Sequence, residues 1–123
     1  MMFPKPRPAV FDKRDQQRER DRQKRSAMSA VHARDQHRCR CCGRKASHQH
    51  HIRFRSRGGE DSAANMVSLC TGCHSLIHAR QLWVVGTNAD TRLQFEIHEA
   101  AVVDVFGTAP IPPHVRIIVE SRH

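Results

Sequence analysis

With 123 residues, 5% aromatic and 27% charged, the chain has room for one small domain and too few apolar residues for a self-sufficient core. Its formal net charge of +9 is uneven: residues 1–45 hold 14 Lys/Arg against five acids, while residues 46–123 hold seven of each sign, so a basic arm on a neutral body points to a polyanionic partner such as nucleic acid. No apolar run approaches the ~18 residues of a membrane span, and Met-Met-Phe-Pro-Lys-Pro-Arg-Pro lacks a secretory apolar stretch, so a cytoplasmic protein with no membrane association is expected.

Residues 1–25 read as the basic arm. Pro4, Pro6 and Pro8 alternate with Lys5 and Arg7, which predicts extended chain over residues 1–10. From Asp12 to Arg25 nearly every residue is charged or Gln, a pattern for a solvated helix or a disordered segment with no face to bury. Residues 26–36 carry Met28 and Val31 three apart and predict a short helix that opens a core over residues 26–82. Cys39 to Gly43 reads as a tight knuckle, Gly43 supplying positive φ. Residues 47–54 predict a strand, Arg55–Ser62 a polar loop turned by Gly58 and Gly59, residues 66–69 a short strand, and residues 72–80 a helix. A β-rich extension is expected over residues 83–123, with Leu82–Thr87 and Leu93–His98 as a hairpin about Asn88-Ala-Asp-Thr and residues 115–120 as a last strand. Residues 100–106 fit either helix or strand. The class is α+β, and no internal repeat is visible.

Five cysteines are an odd number, and two pairs are spaced C-x-x-C, which favours metal ligation over a disulfide framework. Cys39 with Cys42 and Cys70 with Cys73 supply four sulfurs, enough to close a tetrahedral zinc site with no open position. Such a zinc is structural, and its binding free energy becomes folding free energy. Cys41 is left over as a spare thiol beside the site, able to compete only if the knuckle slips in register.

Five histidines fall between residues 48 and 78. His74 and His78, four apart, share a helix face, and His50 and His51 lie on the strand that the zinc would clamp to that helix. Imidazoles with coordination positions left open would make a second metal site, able to activate water or polarise a phosphate oxygen. Neighbours in a regular strand point to opposite faces, so His50 and His51 converge only if the strand ends or bulges there. His48 reads as a surface residue and Trp83 as hairpin core. Arg53, Arg55 and Arg57 alternate, and in extended chain would face one way to grip phosphates.

The run His50-His51-Ile52-Arg53, Arg55-Ser-Arg-Gly-Gly59, Asn65-Met-Val-Ser-Leu-Cys-Thr-Gly-Cys-His74 and His78, with its lead-in Arg34 to Gly43, resembles the HNH endonuclease signature over about residues 34–80. Phe54 stands where that family often has proline. The resemblance implies a zinc-stabilised ββα-metal, treble-clef-like core that cuts DNA, double-stranded DNA foremost. It implies that His51 is the general base, and that Asn65 holds the loop and orients His51 through hydrogen bonds. His50 and His74 would bind one divalent cation (Mg²⁺, Mn²⁺, Ni²⁺ or Zn²⁺). His78 would be a third ligand, as in related colicin nucleases, or a phosphate or solvent contact. The size and arm resemble stand-alone nucleases of phages and prophages in bacterial hosts, where such proteins can assist genome packaging. The competing reading is a non-catalytic, zinc-dependent nucleic-acid-binding module. It explains the cysteines and charge but leaves His50, His51, Asn65 and His74 to coincidence.

Overall fold

In the computed structural model, residues 12–119 are described; the extended chain expected over residues 1–10 and the end of the strand expected at residue 120 lie outside them. The first element, α1 (Lys13–Asp35), starts where the Asp12 carboxylate accepts the Asp15 N–H at 2.8 Å. It stops where Gln36 and His37 take left-handed φ of 54° and 57°. Its sequence predicts two pieces, a charged arm and a separate short helix, but the helix runs through residue 25 unbroken. No Gly or Pro interrupts it, and once Ala27 and Val31 are packed against Met66 each further Arg, Lys, Gln or Glu extends it at little cost. The exposed first half is laced by side-chain pairs such as Arg22–Glu19 at 2.9 Å.

Asp35 at the end of α1 is the polar centre of the fold. Its side chain is fully buried and accepts from Arg34 Nε at 2.7 Å and Nη2 at 2.9 Å, Arg40 Nη1 at 3.0 Å and Ser68 N at 3.1 Å. Arg34 also donates to the carbonyls of Ala63 and Met66, both at 2.6 Å, and Arg40 to that of Ala89 at 2.8 Å. One buried carboxylate thus joins the helix, the cysteine knuckle, the next strand and a distant turn, its charge met by two guanidinium groups.

After the knuckle, β1 (His48–His51) pairs antiparallel with β2 (Met66–Leu69), His48 facing Leu69 and His51 facing Met66. The first strand is shorter than the expected 47–54, because Arg55–Arg57 forms a single 3-10 turn. All four residues of β2 are buried, the mark of a strand covered on both faces. It leads into α2 (Thr71–His78), at whose start the Cys73 N–H donates to Cys70 Sγ at 3.4 Å. These two strands and this helix are the ββα unit.

The extension is a mixed sheet. The expected hairpin forms from β3 (Leu82–Val85) and β4 (Gln94–His98), and the last strand β5 (Val115–Ile118) joins β4 in parallel. The ambiguous segment settles as helix, α3 (Val102–Phe106), whose Val105 and Phe106 are buried. One core cluster holds Val67, Leu69, Leu82, Phe95, Ile97 and Val105 together with Cys39, Cys41, Cys70 and Cys73, so the cysteine site is continuous with the apolar interior. No helix among the described residues is long and apolar enough to cross a membrane.

Candidate metal centre and active site

The two C-x-x-C turns meet. The sulfurs of Cys39, Cys42, Cys70 and Cys73 all lie within 4.8 Å of one another. Cys42 and Cys70 are 3.6 Å apart, close to the ~3.8 Å edge of a tetrahedron built on zinc–sulfur bonds of about 2.3 Å. The Cys39 thiol is pulled down to about 5 by its hydrogen bond with Cys73 and by backbone N–H groups, while burial pushes Cys42 up to about 12. Cys73 is raised by its bonds with Cys39 and Cys41 and by burial. Four thiolates share so small a volume only around a cation, and donor type, number and spacing fit zinc. Cys41 stands outside this set: its side chain is buried in the core and its carbonyl oxygen lies 2.8 Å from His114 Nε2.

A second set lies where β1 meets α2. One ring nitrogen each from His50, His74 and His78 fall within 4.8 Å of one another, with the Nε2 atoms of His74 and His78 3.2 Å apart. That separation suits two ligands of one ion at about 2.1 Å each, which stand roughly 3.0–3.4 Å apart. The helix supplies two ligands from one face, and the strand supplies the buried third. Burial holds His50 down to about 4, helped by the charges of His74, His78 and His51, and burial also lowers His74. Both rings are therefore neutral at pH 7, the form that binds a metal. His48, read from sequence as a surface residue, stacks on His74 with ring centres 4.5 Å apart, so it belongs to the packing behind this set.

His51 takes the opposite side. The strand stays regular through its last pair, so adjacent histidines diverge. The His51 ring lies with Nε2 2.8 Å from Asp61 Oδ1, and Arg55 Nη2 is 3.3 Å from the other carboxylate oxygen. Sequence reasoning passed over Asp61. Its signal was the pair of acids, Glu60 and Asp61, in a loop otherwise made of Gly, Ser and Arg that follows a candidate base.

Asn65 closes that loop. Its Oδ1 accepts the Arg53 N–H at 2.8 Å, and its Nδ2 donates to the carbonyls of Arg53 at 3.0 Å and Glu60 at 2.9 Å. These Asn65 side-chain bonds go to the loop backbone and not to the His51 ring. Gly59 is required where the loop folds on itself, since a Cβ there would fall onto the Arg53 carbonyl oxygen.

The extended conformation that would align Arg53, Arg55 and Arg57 is replaced by the 3-10 turn. Arg53 Nε donates back to the Arg57 carbonyl at 2.7 Å, and Arg55 turns to Asp61. The three end up flanking two open grooves. One, of about 930 Å³, is lined by Arg53, Arg57 and Asn65; the other, of about 870 Å³, by Arg55 with Arg20 and Arg22 of α1.

Residues 39–80 match the family model of the HNH endonuclease. That stretch contains both the four-cysteine cluster and the histidine cluster, and excludes α1 and all of the C-terminal sheet. A domain of this kind goes with nuclease or nucleic-acid-binding activity. No curated protein and no solved structure matches the chain.

Proposed function

We propose that this chain is a metal-dependent DNA endonuclease that hydrolyses phosphodiester bonds. The observation that carries the reading is the pair of faces at the end of β1: three imidazoles, His50, His74 and His78, converge on one side, and a fourth, His51, turns to the other. The three would hold a divalent cation (Mg²⁺, Mn²⁺, Ni²⁺ or Zn²⁺). When bound, it would polarise the phosphate and neutralise charge developing on the leaving 3′ oxygen.

His51 takes a proton from the attacking water as that water's oxygen bonds to phosphorus, and the bond to the 3′ oxygen breaks. Asn65 fixes the loop that carries the arginines. Arg53, Arg55 and Arg57, with the basic side chains of α1, contact phosphates along double-stranded DNA, which predicts binding that weakens with salt and reads little sequence. The four cysteines hold a structural zinc that seats α2 against β1.

Plasmid incubated with the zinc-loaded chain and added Mg²⁺, Mn²⁺ or Ni²⁺ tests this, with His51→Ala alongside. Nicking by wild type and a loss of about 100-fold or more in the variant are expected. DNA binding without cleavage under every cation would instead favour a zinc-dependent nucleic-acid-binding module.

A further inference from the structure

His51 and Asp61 form a shielded pair that the nuclease reading does not by itself require. The Nε2–Oδ1 distance is 2.8 Å, and the two side chains are only 17% and 12% exposed. It is the one hydrogen bond of the His51 ring among the described residues. A carboxylate accepts and does not donate, so Nε2 carries the hydrogen and Nδ1 keeps the free lone pair.

The carboxylate is itself held. Arg55 lies 3.3 Å from its second oxygen, and Asn65 grips the carbonyl of Glu60, the residue just before it, at 2.9 Å. A chain of contacts therefore runs from Asn65 through the loop backbone to Asp61 and then to the ring. This is how Asn65 can govern His51 without touching it.

We propose that Asp61 is a positioning residue that fixes His51 as its Nε2–H tautomer and so presents Nδ1 to the attacking water. The proposal rests on the nuclease reading for its catalytic consequence, and on geometry alone for the tautomer. In the step, the water proton moves to Nδ1, the water oxygen bonds to phosphorus, and the bond to the 3′ oxygen breaks. The Nε2–H stays on the ring, and its hydrogen bond to the Asp61 carboxylate becomes an ion pair as the ring turns cationic. Asp61 touches neither water nor phosphate. A base aligned by a third group is a recurrent arrangement in hydrolytic sites, where replacing the carboxylate by an amide leaves the shape but favours the wrong tautomer.

The test uses the full zinc-loaded chain labelled with ¹⁵N. Long-range ¹H–¹⁵N spectra, taken about two pH units above the ordinary imidazole range of ~6.5, report which ring nitrogen is protonated. In wild type, a pyrrole-like Nε2 and a pyridine-like Nδ1 are expected at His51, a measurement that needs neither a variant nor DNA. Asp61→Asn shifts the ring toward the Nδ1–H form and lowers kcat for plasmid nicking by about 100-fold or more, with KM within about threefold. Asp61→Glu keeps the tautomer and recovers activity to within about tenfold of wild type. Zinc content and the amide spectrum confirm that both variants are folded. A wild-type ring protonated on Nδ1, or an Asp61→Asn chain with wild-type kcat, overturns the proposal. A wild-type chain that cuts no DNA sinks the nuclease reading instead, and shows itself before any substitution at Asp61 is made.

Discussion

His50 and His51 are neighbours in sequence and back to back in space: one is buried among His74 and His78, the other reaches across to Asp61 at 2.8 Å. A regular strand imposes that divergence. In the proposed nuclease, it would let one tetrad of residues, His50 to Arg53, serve a metal, a base and a loop clip in turn.

The first prediction concerns protons at the cysteine cluster. Burial and their sulfur neighbours hold the Cys42 and Cys73 thiols above the ordinary range, so both carry protons at pH 7. Zinc binding at pH 7 must then expel the protons of both Cys42 and Cys73. Calorimetry in buffers of different ionisation enthalpy should show at least those two released per zinc. Cys73→Ser should lose zinc and its folded spectrum. Cys41→Ser should keep zinc at a cost of about 1–2 kcal/mol in core packing.

Asp35 supplies the second. Burial opposes its charge, but the hydrogen bonds of Arg34 and Ser68 outweigh it and hold the carboxyl below its ordinary value of 3.8. A depressed folded pKa gives stability that is present above the unfolded pKa and is lost as pH falls through the folded one. Asp35→Asn should therefore cost about 3–5 kcal/mol, because two guanidinium groups are left around a neutral side chain. Denaturant melts should show that difference unchanged between about pH 5 and pH 8, a window wholly above the titration.

His50 contributes with the same sign in a higher pH window. Its pKa is pushed down to about 4 from 6.5, so between those values the unfolded chain binds more protons and stability rises with pH. In the zinc-loaded chain without added cation, stability should climb by about 1.5 kcal/mol from pH 5 to pH 6.5 through this ring. His50→Gln should remove that rise; an unchanged slope would show that the ring is not held neutral.

Asn65 should act on the loop rather than on the fold. Asn65→Asp keeps the acceptor for the Arg53 N–H but turns an oxygen toward the carbonyls of Arg53 and Glu60. Amide exchange at Arg53 and through Glu60–Ser62 should quicken by about tenfold or more, with zinc content unchanged and nicking reduced.

Much of this was legible in the residues. The paired C-x-x-C turns, the four-residue strand ending at Cys70 and the His74/His78 helix face follow from spacing, and the hairpin from its turn cluster. The continuity of α1 was hidden, because its first half has no apolar period and its anchor, Val31, lies far along the chain. The parallel seat of β5 beside β4 depends on packing of α3 that no local pattern encodes. Asp61 escaped for a related reason: its partner lies ten residues away, across a loop whose 3-10 turn is set by Gly59 and by Asn65.

The most direct measurement is cleavage by His74→Ala against wild type across a Mn²⁺ titration, with zinc content determined for each. The three-imidazole site predicts wild-type nicking that rises and saturates with Mn²⁺. It predicts a variant that keeps its cysteine-bound zinc yet loses about 100-fold or more of that activity. A zinc-loaded His74→Ala chain that nicks DNA like wild type at the same Mn²⁺ would contradict the account.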